Sequence, residues 1–166
     1  MNVKLKDLMN LRNKTILVGG DHHAHDHAVA VYQYLSNNSI KTELVNYNSS
    51  ACFDYLDQSK LVAARVSQDP VKYAGIIGCK SGFGASLMSA KYPHVFCIRC
   101  DGPHQAKMAR QVNYCNVLAF GSDFVDKSEL NQTVEAWLNT NFELNTKNKN
   151  RYFKILKIQQ EATRFL

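Results

Sequence analysis

No stretch of this 166-residue chain is apolar for long enough to form a membrane-spanning helix, so no membrane partner is expected. The opening residues, MNVKLKDLMNLRNK, are polar and basic and lack the apolar run of a secretory signal. A cytoplasmic, reducing setting is the expectation. The cysteines agree with it: Cys52, Cys79, Cys97, Cys100 and Cys115 make an odd set that suits free thiols. Cys97 and Cys100 are spaced CxxC, but no second Cys or His pair stands at zinc-finger distance, so no metal is expected there. Internal repeats are absent, and the Asn/Lys-rich stretch 145–150 is the one low-complexity segment. What remains is ordinary for a single globular domain: 45% apolar and 20% charged residues, in a chain long enough to close a core.

The net charge of +6 is uneven. Residues 147–157 hold Lys147, Lys149, Arg151, Lys154 and Lys157 and no carboxylate. Such a run suits a solvated helix face or the phosphate of a small substrate. No aromatic stacking motif accompanies it, so no nucleic-acid partner is expected. The segment DHHAHDH brings His22, His23, His25 and His27 together, but no distant Cys or His set completes a tetrahedral shell. It predicts adventitious nickel or zinc binding and no functional metal.

Hydrophobic patterning predicts alternating strands and helices. Residues 15–20, TILVGG, read as a buried parallel strand with Asp21 and His22 at its end. A helix is expected at 24–36, a strand at 42–47 and a helix at 56–66 entered through Asp54 and Tyr55. Further strands are expected at 74–78, 95–100 and 116–120. A helix opens at Gly102-Pro103 and runs to about Val112. Leu130, Val134, Trp137 and Leu138 share a face of the next one. The polar stretch 139–150 reads as a loop, and a last helix is expected at 151–163. Five alternations predict a three-layer, Rossmann-like α/β domain: a five-stranded parallel sheet with helices on both faces. The expected division is an N-terminal arm at 1–14, with Leu5, Leu8 and Met9 on one face, the α/β domain at 15–145, and a basic C-terminal helix at 146–166. That helix would pack on the domain or on a partner subunit. Ligands of such folds bind beyond the carboxyl ends of the strands, where strand order reverses. That rule gathers Asp21 and His22, Asp54 and Tyr55, Cys79 to Gly84, Cys100 and Asp101, and Gly121 to Asp123 on one rim.

The stretch GIIGCKSGFGAS, from Gly75 to Ser86, carries the chemistry. An apolar run stops at Cys79, a turn with Gly82 and Gly84 follows, and the spacing of Leu87, Met88 and Lys91 predicts a helix. A helix start offers backbone N–H groups without intrahelical partners, and an anion is stabilised there. A thiol at the mouth of such a turn is a candidate base or nucleophile. The competing reading makes Cys79 a buried small apolar residue. Gly82-x-Gly84 is a weak match to a dinucleotide fingerprint, because Leu87 replaces the third glycine and the turn follows the third strand.

These residues resemble the ribose-5-phosphate isomerase type B and galactose-6-phosphate isomerase family. That family opens with G-x-D-H, matched by Gly19-Gly20-Asp21-His22, and has a central G-I-x-x-C-G-T-G-x-G-x-S, matched by Gly75 through Ser86. Its A-R-x-H-N-D-x-N-V-L-A-x-G is matched from Ala109 to Gly121, and the tyrosine of its D-Y-P segment by Tyr55. The similarity covers roughly residues 15–140. It implies aldose–ketose isomerisation of a phosphorylated sugar without a cofactor. Cys79 would be the base that moves a proton between C1 and C2, with Ser81 beside it as a further catalytic candidate. Backbone N–H groups from Lys80 to Gly84, including those of Gly82 and Phe83, would hold the enediolate. Asp21 and Asn113 would position hydroxyls, with His22 and Arg151 on the phosphate. The resemblance also implies a homodimer or tetramer whose sites draw on both chains.

The chain departs from the family at several of these positions. The family's ring-opening histidine falls on Val112, with His104 two helical turns earlier as a candidate substitute. The arginine after strand five falls on Asp123; an acidic residue there also occurs in one subunit type of galactose-6-phosphate isomerase. A C-terminal G-G-R-H becomes Lys149-Asn150-Arg151-Tyr152. Lys80 and Ser81 replace a glycine and a threonine, and Lys80 either supplies the cation missing at Asp123 or pairs with Asp123. Two functions follow: an isomerase of altered substrate range, or a non-catalytic sugar-phosphate binder or companion subunit.

Overall fold

A computed structural model describes residues 8–45 and 54–162. After a short 3-10 turn, Leu11–Asn13, five strands alternate with helices: β1 Thr15–Gly20, α1 His25–Asn37, β2 Thr42–Leu44, α2 Tyr55–Gln68, β3 Tyr73–Cys79, α3 Phe83–Ser89, β4 Cys97–Arg99, α4 Pro103–Asn113, β5 Val117–Gly121 and α5 Lys127–Asn139. A last helix, α6, spans Thr146–Ala162. The strands form one sheet of order β2-β1-β3-β5-β4, with every neighbouring pair parallel. Parallel neighbours need crossover connections, and the helices supply them.

The central strands are apolar on both faces because both faces are covered. Ile16, Val18, Ile76 and Leu118 pack on one side with Val31 and Leu35 of α1, Ala106 and Ala109 of α4, and Leu130, Val134 and Trp137 of α5. Leu17, Ile77, Val117 and Ala119 face the other side, against Val62 and Val66 of α2 and Ala85 of α3. Each large side chain so buried contributes roughly 1.5–3 kcal/mol. The three-layer architecture expected from the alternation is therefore present.

The polar stretch 139–150 is not a loop throughout, because α6 begins at Thr146 and not at 151. Asn145 is the reason: its Oδ1 accepts the amide of Asn148 at 2.8 Å, a side-chain cap that starts the helix among polar residues. Tyr152 then stacks on Phe96, ring centroids 5.1 Å apart, and meets Tyr114 edge-on. Gln159 completes the docking by accepting the His94 amide and donating to the Val95 carbonyl. β2 ends at Leu44, short of the expected strand 42–47, and β4 is confined to three residues. The expected positions 46–47 and 163, along with Leu5 and Cys52, lie outside the described residues.

Candidate active site

The strand order reverses between β1 and β3, whose carboxyl ends lie side by side, with Gly20 paired to Gly78. Asp21 follows β1 and Cys79 closes β3, so the switch point brings the two together. A cavity of about 620 Å³ opens there, lined by Asp21, His22, His23, Asp54, Tyr55, Cys79, Lys80, Ser81 and Gly84. Among the described residues, no group of three or more Cys, His, Asp or Glu is arranged to hold a metal.

The turn after β3 is built around the cysteine. Cys79 is 4% exposed, enough to lie on the cavity wall without facing bulk water. Gly82 takes the left-handed conformation, φ +76°, and its amide donates to Cys79 Sγ at 3.1 Å. The Phe83 amide donates to Ser81 Oγ at 3.3 Å. Two amides of the expected anion hole are thus already engaged with side chains of the turn. The Ser122 amide donates to the Cys79 carbonyl at 3.0 Å and the Asp123 amide to the Lys80 carbonyl at 3.1 Å, which fixes the turn to the end of β5.

Other walls are set by close packing. A Cβ on Gly84 would stand 2.6 Å from the Tyr55 ring, so only glycine lets that ring lie against the turn. Tyr55 opens α2, and Asp54 caps it by accepting the Leu56 amide at 3.2 Å. Asp21 is buried, and its Oδ1 accepts the amides of both His23 and Ala24 at 3.0 Å. This carboxylate shapes the entry to α1 as well as facing the cavity. The His22 and His23 rings lie 4.0 Å apart at its mouth.

Not every expected site residue is here. Phe83, Val112 and Asn113 line a second cavity of about 710 Å³, together with Arg99, Cys100 and Asp101. The single rim expected from strand order is therefore two clefts, and α3 lends residues to both. In the second cleft the Arg99 guanidinium lies between the rings of Phe83 and Phe124, at 4.3 and 4.6 Å, and pairs with Asp101 at 2.7 Å. Arg151 is exposed on α6 and lines neither cleft, and His104 likewise lines neither. Lys80 and Asp123 form no ion pair, although their backbones are bonded. Asp54 and Tyr55 lie in the cleft as expected of the rim, and His23 joins it without having been singled out as a site residue. His23 follows Asp21 and His22 beyond the carboxyl end of β1, and that adjacency is the signal for it.

Comparison with known proteins gives a consistent match. A family model described as Ribose/Galactose Isomerase matches residues 16–155. Ribose-5-phosphate isomerase B of Escherichia coli K12 is 36% identical over 95 residues, which is 57% of this chain and 63% of that protein. The match thus spans under two thirds of the E. coli protein. A probable ribose-5-phosphate isomerase B of Mycoplasma genitalium is 30% identical over 145 residues, covering 84% of this chain and 95% of the relative. The crystal structure of ribose-5-phosphate isomerase B from Mycoplasma genitalium with bound ribulose-5-phosphate superposes with a TM-score of 0.83 at 28% identity, covering 89% of this chain and 97% of that one.

Proposed function

The chain belongs to the ribose/galactose isomerase family, and from that premise we propose that it interconverts the aldose and ketose forms of a phosphorylated sugar through an enediolate. Cys79 is the base. Its thiolate removes the proton from C2 of the aldose and returns it to C1, while a proton passes from O2 to O1 to complete the ketose. The observation that carries this reading is the sulfur at the β1/β3 switch point, on a cavity wall, with the Gly82 amide donating to it. An amide aimed at sulfur suits an atom that gains and loses a proton in each turnover.

Charge developing on O1 and O2 is held by preorganised donors of the Lys80–Gly84 turn, with Ser81 alongside. The bonds from Gly82 to sulfur and from Phe83 to Ser81 support a hole in which these side chains share the donors with substrate. Asp21 and Tyr55 orient the sugar, and His22 at the mouth meets the phosphate. Asn113 and Arg151 lie away from this cavity, which favours their delivery by a second copy of the chain. The assembly is then a homodimer or larger, with shared sites. The reading also places the protein in the cytoplasm with reduced thiols.

The test is a panel of pentose, hexose and tetrose phosphates followed by NMR. Turnover of at least one is expected. Thermal stabilisation by a sugar phosphate with no turnover by any would replace the enzyme with a non-catalytic binder or companion subunit.

A further inference from the structure

Two carboxylates and one ammonium line the Cys79 cavity, and the carboxylates are already engaged. Asp21 accepts two backbone amides at the entry to α1, and Asp54 caps α2. Lys80 is exposed and takes part in none of the three ion pairs found among the described residues. It is the one lysine or arginine among the residues lining this cavity. Its main chain is fixed on both sides, through the Asp123 amide on its own carbonyl and the Ser122 amide on that of Cys79. An unpaired cation on a fixed backbone, in a concave site, is a receptor for an anion.

We infer that Lys80 joins His22 in binding the phosphate, and by its full charge makes this chain select a phosphorylated sugar over an unphosphorylated one. The inference rests on the isomerase reading, in which Cys79 works on C1 and C2. A lysine carries its charge at the end of four methylenes, as a point charge with three donors. That reach suits a phosphate several carbon atoms removed from the carbons served by the neighbouring thiol. Phosphate oxygens on an ammonium make charge-assisted bonds, stronger than neutral ones. Asp123 does not neutralise the ammonium, since the two residues meet only through their backbones.

The experiment compares wild type with Lys80→Met and Lys80→Arg, using inorganic phosphate as the calorimetric probe and a turned-over sugar phosphate for kinetics. Lys80→Met folds, because the side chain is exposed and unpaired. It is expected to weaken phosphate binding by roughly ten- to a hundredfold. KM should rise by a similar factor, kcat should change little, and Lys80→Arg should recover most of the affinity. Unchanged phosphate binding in Lys80→Met, or a loss confined to kcat, overturns the inference. A wild type that turns over no phosphorylated sugar overturns the isomerase reading instead. Calorimetry still decides Lys80 in that case: phosphate binding lost with Lys80→Met supports the receptor, and binding that persists removes it.

Discussion

The amide of Gly82 points at the sulfur of Cys79, 3.1 Å away, and it can do so because Gly82 is left-handed at φ +76°. A Cβ there would also stand 2.8 Å from the Phe120 carbonyl carbon. Gly82→Ala meets both problems at once. It is expected to cost roughly 1–3 kcal/mol in stability from backbone strain and to lower kcat by about a hundredfold through misplacement of the sulfur. Thermal melts and steady-state rates check the two effects separately. A variant with wild-type kcat would show that this amide is not needed at the sulfur.

Arg110 is a structural cation. Its guanidinium is fully buried and donates to the carbonyls of Tyr114, Cys115, Leu8 and Met9, tying the N-terminal residues to the turn before β5. Arg110→Met leaves those carbonyls without their donor and is expected to destabilise by roughly 2–4 kcal/mol. Chemical denaturation measures it. Because Arg110 lines neither cleft, KM of the remaining folded enzyme should stay near the wild-type value.

The fold and the position of Cys79 at a strand end were legible in the sequence for the same reason. Apolar runs ending in glycine mark parallel strands, and TILVGG and GIIGC end where Asp21 and Cys79 emerge. Polarity misled at 139–150, where Asn145 caps a helix that buries only Asn148 and Tyr152 early in its course. The split of the rim into two clefts was also hidden. At the second cleft the Arg99 guanidinium sits between Phe83 and Phe124, residues far apart in sequence whose meeting no local pattern encodes.

Alkaline pH should unfold the protein early. Burial pushes the Cys115 thiol up to about 12 and raises Cys100 as well, with the neighbouring Cys115 adding to it. Burial also moves Tyr152 up to about 12. A raised pKa in the folded state means the unfolded chain gives up its protons first. The stability these groups provide is whole below the unfolded thiol pKa, near 8.5, and drains away as pH climbs towards 12. Melting temperatures should fall between roughly pH 8.5 and 11, less steeply in Cys115→Ala. An identical slope in that variant would remove the buried thiol as a cause.

The proposed sharing of sites between chains makes a mixing prediction. Cys79 lines one cleft and Asn113 the other, so in the proposed dimer Cys79→Ala and Asn113→Ala would damage different contributions to each shared site. Each homodimer should be nearly inactive. Mixed after dissociation, the two should regain about a quarter of wild-type activity, since half the dimers carry one intact site of two. No recovery in verified heterodimers would confine each site to a single chain.

The proposed proton transfer at the Cys79 sulfur is read most directly by hydrogen exchange. Wild type and Cys79→Ala are each incubated with a substrate sugar phosphate in deuterium oxide, and deuterium at C1 and C2 is followed by NMR. Wild type should introduce solvent deuterium, and Cys79→Ala, folded and of nearly unchanged melting temperature, should do so about a hundred to ten thousand times more slowly. Exchange at the wild-type rate in the alanine variant would contradict the account.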